Sequence, residues 1–153
     1  MPDKSRPGHA ALRRGRTSLP SHFYLVTFIT SDRRPIFIDA ACAMPAARAI
    51  NNSRLWSDAT LLAWVLMPDH WHGLVQLGET GRLSPLVQRL KANSARCLPI
   101  GMARPVWGRG FHDHALRQEE DVRTVARYII MNPVRAGIAR SPRFYPYWDA
   151  VWL

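Results

Sequence analysis

Lysine is nearly missing from this 153-residue chain: Lys4 and Lys91 are lysine and every other basic residue is arginine. Acid is scarce too, with 11 Asp and Glu against 21 Lys and Arg, so the formal net charge is +10. That shortage of negative charge argues against cationic partners and for a polyanionic one, nucleic acid foremost. Arginine's planar fork matches phosphate bidentately and stacks on bases. Arginine-rich coding would explain the ratio of Arg to Lys, but not the excess of positive over negative charge. Cysteine is sparse: Cys42 and Cys97 lack metal-ligand spacing and read as small buried hydrophobes of a reducing compartment. No run approaches eighteen apolar residues, and no signal-peptide core follows the basic N-terminus, so no membrane partner and a cytoplasmic location are expected. What is plentiful is apolar surface, 47% of residues, enough for one well-filled core.

Residues 1–20 carry Arg13, Arg14 and Arg16 among prolines and glycines and read as a flexible basic arm. Residues 21–153 read as a single domain ending in an aromatic tail from Ser141. Residues 22–30 are β-branched and aromatic, a strand, followed by a turn with Arg33 and Arg34. Asp39 caps a helix to about Ser53, in which Pro45 has no evident place. Strands over residues 60–67 and 70–77, separated by Pro68 and Asp69, make a tight hairpin. Ser84 and Pro85 open a helix to about Leu98, whose Arg89, Lys91 and Arg96 form a phosphate-facing side. An extended segment crosses residues 106–117. Glu119, Glu120 and Asp121 favour the start of a helix with Val122, Val125, Ala126 and Ile129 on one face. The order strand, helix, strand, strand, helix, strand, helix predicts an α+β fold: a ferredoxin-like antiparallel sheet with helices on one face.

Chemistry concentrates in two places. His70 and His72 flank Trp71 in a strand, so both imidazoles share a face while Trp71 points into the core. Two neutral imidazoles side by side are half a divalent-metal site; His-x-His also occurs as ordinary surface sequence. Tyr128 and Asn132 stand four apart on the last helix and share one of its faces. Tyr128 also suits a rim position with its hydroxyl wet, and Asn132 suits a helix end before Pro133. Joined, the four residues describe a cleavage centre. A divalent ion on His70, His72 and the carbonyl oxygen of Asn132 would act as a Lewis acid on a phosphodiester, and Tyr128 would be the nucleophile.

Three segments carry a family likeness: Met67-Pro68-Asp69-His70-Trp71-His72, then Phe111-His112-Asp113-His114-Ala115-Leu116-Arg117, then Tyr128 through Asn132 and Pro133 to Gly137. Together with residues 24–28 and 145–149 they resemble the REP-associated tyrosine transposases, members of the single-tyrosine HUH transposases. The resemblance implies a ferredoxin-like (RRM-like) HUH domain that nicks single-stranded DNA beside palindromic hairpins. It further implies a 5′-phosphotyrosine link, a free 3′-hydroxyl and Mg²⁺ or Mn²⁺. By motif position it gives Tyr128 as nucleophile and His70, His72 and Asn132 as metal ligands. Ile130 stands where many relatives have histidine, and Trp71 is bulkier than the usual residue between the two histidines.

Arg33, Arg34, Arg89, Lys91, Arg117 and Arg135 are the candidate DNA contacts. His112 and His114 form a second same-face pair, for which a structural or DNA-contacting role is expected rather than a four-histidine metal centre. Trp107 and Phe111 suit either base stacking or the core. Two other functions fit the residues: a hairpin-binding module that does not cut, and a metal-dependent hydrolase using water. Single-stranded or hairpin DNA is the partner in the preferred reading, with the protein nucleoid-associated when bound, as monomer or homodimer.

Overall fold

Alternating burial orders the sheet. The computed structural model describes Ser18, Leu19 and residues 21–117 and 121–152. The arm arginines, Glu119 and Glu120 lie outside them. In β1 (Phe23–Ile29) every second residue is buried. Tyr24, Val26 and Phe28 therefore share one face, and Leu25, Thr27 and Ile29 the other. β2 (Ala59–Met67) and β3 (His70–Leu77) form the expected hairpin across Pro68 and Asp69. Its turn carbonyls are held by backbone N–H groups of Phe37 and Thr30. β4 (His112–Ala115) is the strand within the extended segment, and β5 (Trp148–Ala150) follows from the tail. The order is β4-β1-β3-β2-β5, antiparallel throughout. The first four strands give the ferredoxin-like α+β arrangement.

β5 corrects the reading of the tail as an aromatic segment without a strand. Three residues are too few to show a period, and their pairing with Ala63, Trp64 and Val65 comes from a strand over eighty residues away. Trp148 also donates its indole N–H to the carbonyl of Pro142.

α1 (Ala40–Ile50) is capped by Asp39, whose carboxylate accepts the Ala41 N–H, and it stops before Ser53. Pro45 sits inside it and removes the donor that would reach Ala41. α2 (Leu83–Arg96) starts ahead of Ser84, and its Leu83 N–H is donated to Ser18 Oγ at 3.2 Å. Capping from a distant segment replaces the expected local cap. α1 and α2 cover the Tyr24, Val26, Phe28 and Trp71 side of the sheet. Trp107 and Phe111 are buried in that same core, which removes base stacking as their role. Cys42 is buried there, whereas Cys97 is exposed at the end of α2, against expectation.

α3 (Val122–Ile130) lies on the opposite face, with Ala126 and Ile129 against Val65, Met67 and Leu74. The one-sided helix layer is thus corrected. Ala63 through Met67 are buried without alternation, so both faces of β2 are apolar and both need cover. α3 and α4 (Asn132–Arg135) are separate segments. Pro133 offers no N–H to the carbonyl of Ile129, so Tyr128 and Asn132 lie on successive helices rather than on one. Among the described residues no helix is long and apolar enough to cross a membrane.

Candidate active site

The face that α3 covers is the face on which the histidines stand. Trp71 is fully buried and stacks on Phe28 with centroids 4.9 Å apart. This anchors β3 and sends His70 and His72 to the other side, half-buried, with ring centroids 4.5 Å apart.

Each imidazole has its Nδ1 engaged. His70 Nδ1 lies 2.6 Å from Asp69 Oδ1, and because an ionised carboxylate only accepts, the ring donates from Nδ1. His72 Nδ1 lies 2.7 Å from Thr27 Oγ1, its cross-strand partner on β1. When the ring donates in that pair too, both Nε2 atoms carry lone pairs, the state a metal ligand requires. Burial, then the nearby His70 and the charge of Arg135, push the His72 pKa down to about 3, with Asp69 opposing. His72 is therefore a neutral ligand-type imidazole at ordinary pH.

Asn132 is half-buried at the start of α4. Its backbone carbonyl accepts the Ala136 N–H at 2.9 Å, and among the described residues no hydrogen bond engages its side-chain amide, so the amide oxygen is the better placed of its two oxygens to serve as a ligand. Among the described residues, no group of three or more His, Cys, Asp or Glu could hold a metal. As donor types, imidazole nitrogens and an amide oxygen suit a divalent ion that keeps open positions for phosphate oxygens; the cavity beside the two histidines is lined by Thr27, Ile29, Arg33 and His112, and neither Asn132 nor Tyr128 is among its walls.

Tyr128 is 55% exposed on α3, so the residue stands at the surface rather than in the core. The Arg135 guanidinium stacks on its ring at 3.8 Å from the centroid and donates to the Tyr128 carbonyl at 2.6 Å. A cation at the C-terminal end of a helix is favourable there. The same charge is one of the smaller influences that disfavour protonation of His72.

The candidate DNA contacts divide. Arg33 pairs with Asp69 at 3.4 Å and lines a cavity of about 300 Å³ with Thr27, Ile29, His70, His72 and His112. Arg135 stands against Tyr128. Arg117 is exposed just beyond β4. Arg34 is spent on structure, donating to the carbonyls of Ser31, Ala103 and Pro105. On α2, across the sheet from the histidines, Arg89 pairs with Asp58 at 3.0 Å, and Lys91 donates to the carbonyls of Gly108 and Gly110. The basic side of α2 thus buttresses loops.

Sequence reasoning missed Thr27 and Asp69 as the partners that orient the histidines. Asp69 adjoins His70 and was open to inspection; Thr27 left no local signal.

A family model described as "Transposase IS200 like" matches residues 18–132. The chain belongs to the IS200-like transposase family. The matched span contains His70, His72 and Tyr128 and ends on Asn132. This family member is 28% identical over 86 residues to the REP-associated tyrosine transposase of Escherichia coli K12, covering 56% of this chain and 50% of that one. It is 29% identical over 98 residues to a Haemophilus influenzae protein provisionally given the same name, covering 56% of each. The chain spans about half the length of these curated relatives. A solved structure of a REP-associated tyrosine transposase bound to a REP hairpin superposes with a TM-score of 0.70 at 23% identity. The superposition covers 87% of this chain and 79% of that one, a likeness of fold.

Proposed function

We propose that this family member is a transposase that nicks single-stranded DNA beside palindromic hairpins and transfers the strand through Tyr128. The Tyr128 oxygen attacks the scissile phosphorus. A tyrosine–phosphorus bond forms at the 5′ end, the P–O3′ bond breaks, and a 3′-hydroxyl leaves. The covalent link conserves the phosphodiester, so a second 3′-hydroxyl can later displace Tyr128 and rejoin the strands. His70, His72 and the Asn132 side chain would hold Mg²⁺ or Mn²⁺, which when bound polarises the phosphate. Asp69 and Thr27 hold the two imidazoles in the ligand tautomer, and Arg135 steadies the Tyr128 ring. The setting is cytoplasmic DNA. The observation that carries this reading is the histidine pair with both Nδ1 atoms engaged, on the sheet face that α3 covers.

The test is incubation with labelled hairpin DNA bearing single-stranded flanks and Mn²⁺, resolved on a denaturing gel. A protein–DNA adduct should form and should vanish in Tyr128→Phe and in chelator. Cleavage without adduct that survives Tyr128→Phe would replace this reading with a water-using hydrolase. Tight binding without any cleavage would leave a binding module.

A further inference from the structure

One pair of cavities extends beyond the residues given a role above. The cavity beside His70 and His72 is walled on its far side by Ile29, Arg33 and His112. These three residues are also walls of a second cavity of about 300 Å³, which continues past Gly108, Arg109 and Phe111. The two cavities therefore adjoin along Ile29, Arg33 and His112, and end to end they lead from the histidine pair across the end of β1 to the loop before β4. The pairing register explains their floor: His112 and His72 both face Thr27 from opposite sides, so the three side chains stand in a row on one face.

Three features suit this pair of cavities to a polyanion. Arg33, Arg109 and His112 border it, against the carboxylates of Asp32, in its wall, and Asp69, which pairs with Arg33 at 3.4 Å. Asp32 and Arg33 both adopt left-handed backbone, with φ 55° and 51°, a conformation that non-glycine residues rarely hold in succession. Such strain persists where surrounding structure over-determines it, often at binding sites; here it places Arg33 at the wall shared by both cavities. Lys91, reaching from beneath, ties down the Gly108 and Gly110 carbonyls, so the outer bank is fixed rather than loose.

We propose that the two cavities together form a groove that holds the single-stranded DNA flanking the scissile phosphate, with Arg33, Arg109 and His112 contacting its neighbouring phosphodiesters. The inference rests on the tyrosine-nicking reading for its substrate. It adds the path of the strand and gives His112 a phosphate-contacting role. His114, two residues on along β4, lines neither cavity.

The test uses the full chain carrying Tyr128→Phe, in chelator, so that binding is measured without cleavage. The probes are a hairpin with a single-stranded flank and the same hairpin without it, titrated over a range of salt. Each lost single-strand phosphate contact should flatten the slope of log affinity against log salt by about 0.7. Arg33→Gln with Arg109→Gln should therefore bind the flanked probe about 25-fold more weakly at 0.1 M salt, converging with the parent near 1 M. The flankless hairpin should be bound equally by both. A single methylphosphonate scanned along the flank should weaken the parent at one or two positions, and the effect there should shrink in His112→Gln. Thermal unfolding of each variant shows whether the fold is retained. An unchanged salt slope, or an equal loss on the flankless hairpin, would overturn the groove. A missing adduct with the wild-type tyrosine would instead overturn the nicking reading, so the two failures are distinguishable.

Discussion

Gly73→Ala is the most demanding test of how β3 is anchored. A Cβ at Gly73 would lie 2.0 Å from Trp71 Cη2, 2.6 Å from Cζ2 and 2.7 Å from Cζ3. The indole lies across the bare glycine, two residues along the same face. It cannot slide away cheaply, since Trp71 is fully buried and Phe28 stacks on it. Trp107 closes the edge of Phe28 at 4.7 Å. Forcing a methyl into such a core costs about 3 kcal/mol, the upper part of the usual overpacking range. For a chain of this size that lowers the unfolding temperature by roughly 6–12 °C. The same substitution in a Trp71→Leu background meets no ring and should be neutral or stabilising by about 0.5 kcal/mol, because glycine is disfavoured within a strand. Urea unfolding of the wild type, both single variants and the double variant gives a coupling free energy of about 3 kcal/mol. A coupling under about 0.5 kcal/mol, the scatter expected of independent sites, would refute the account of Gly73 as space made for Trp71.

Three further outcomes follow from the site. Because folding pushes the His72 pKa down to about 3, the unfolded chain takes a proton below about 6.5 that the folded chain refuses. Its stabilising effect is thus full at neutral pH and is lost as pH falls, by about 2 kcal/mol at pH 5. Urea midpoints of the metal-free protein at pH 7 and pH 5 should differ accordingly, and His72→Asn should remove that part of the difference. Thr27→Val and Asp69→Asn should each weaken Mn²⁺ binding by about 10- to 100-fold in calorimetric titration, while Thr27→Ser keeps it; unchanged affinity in Thr27→Val would show that the hydroxyl does not orient His72. Arg135→Ala should cost about 1 kcal/mol through its lost helix-end and ring contacts and should slow adduct formation. If adduct forms at the wild-type rate, Arg135 does not position Tyr128.

The sequence by itself determined the local directions. Alternation along residues 70–77 puts both histidines on one face and Trp71 on the other, because side chains in a strand alternate whatever lies beside them. It also determined the hairpin, the Asp39 helix cap and an acidic start to α3 that includes Asp121, where the structure shows a cap, and the charge that points to nucleic acid. Which layers meet was decided only by the tertiary structure. α3 lies across the sheet from α1 and α2 because β2 is apolar on both sides; the unbroken apolar run from Leu61 to Met67 is legible in the sequence, but which helix covers each side is not. Thr27 reaches His72 across forty-five residues, and nothing in local periodicity records such a partner. The arginines show the same division: their number was plain from composition, but Arg34 and Arg89 are consumed by carbonyls and a carboxylate while Arg33 borders the histidine cavity and Arg135 stacks on Tyr128. Whether a guanidinium meets solvent, backbone or ligand depends on what packs beside it, and packing is a property of the assembled chain.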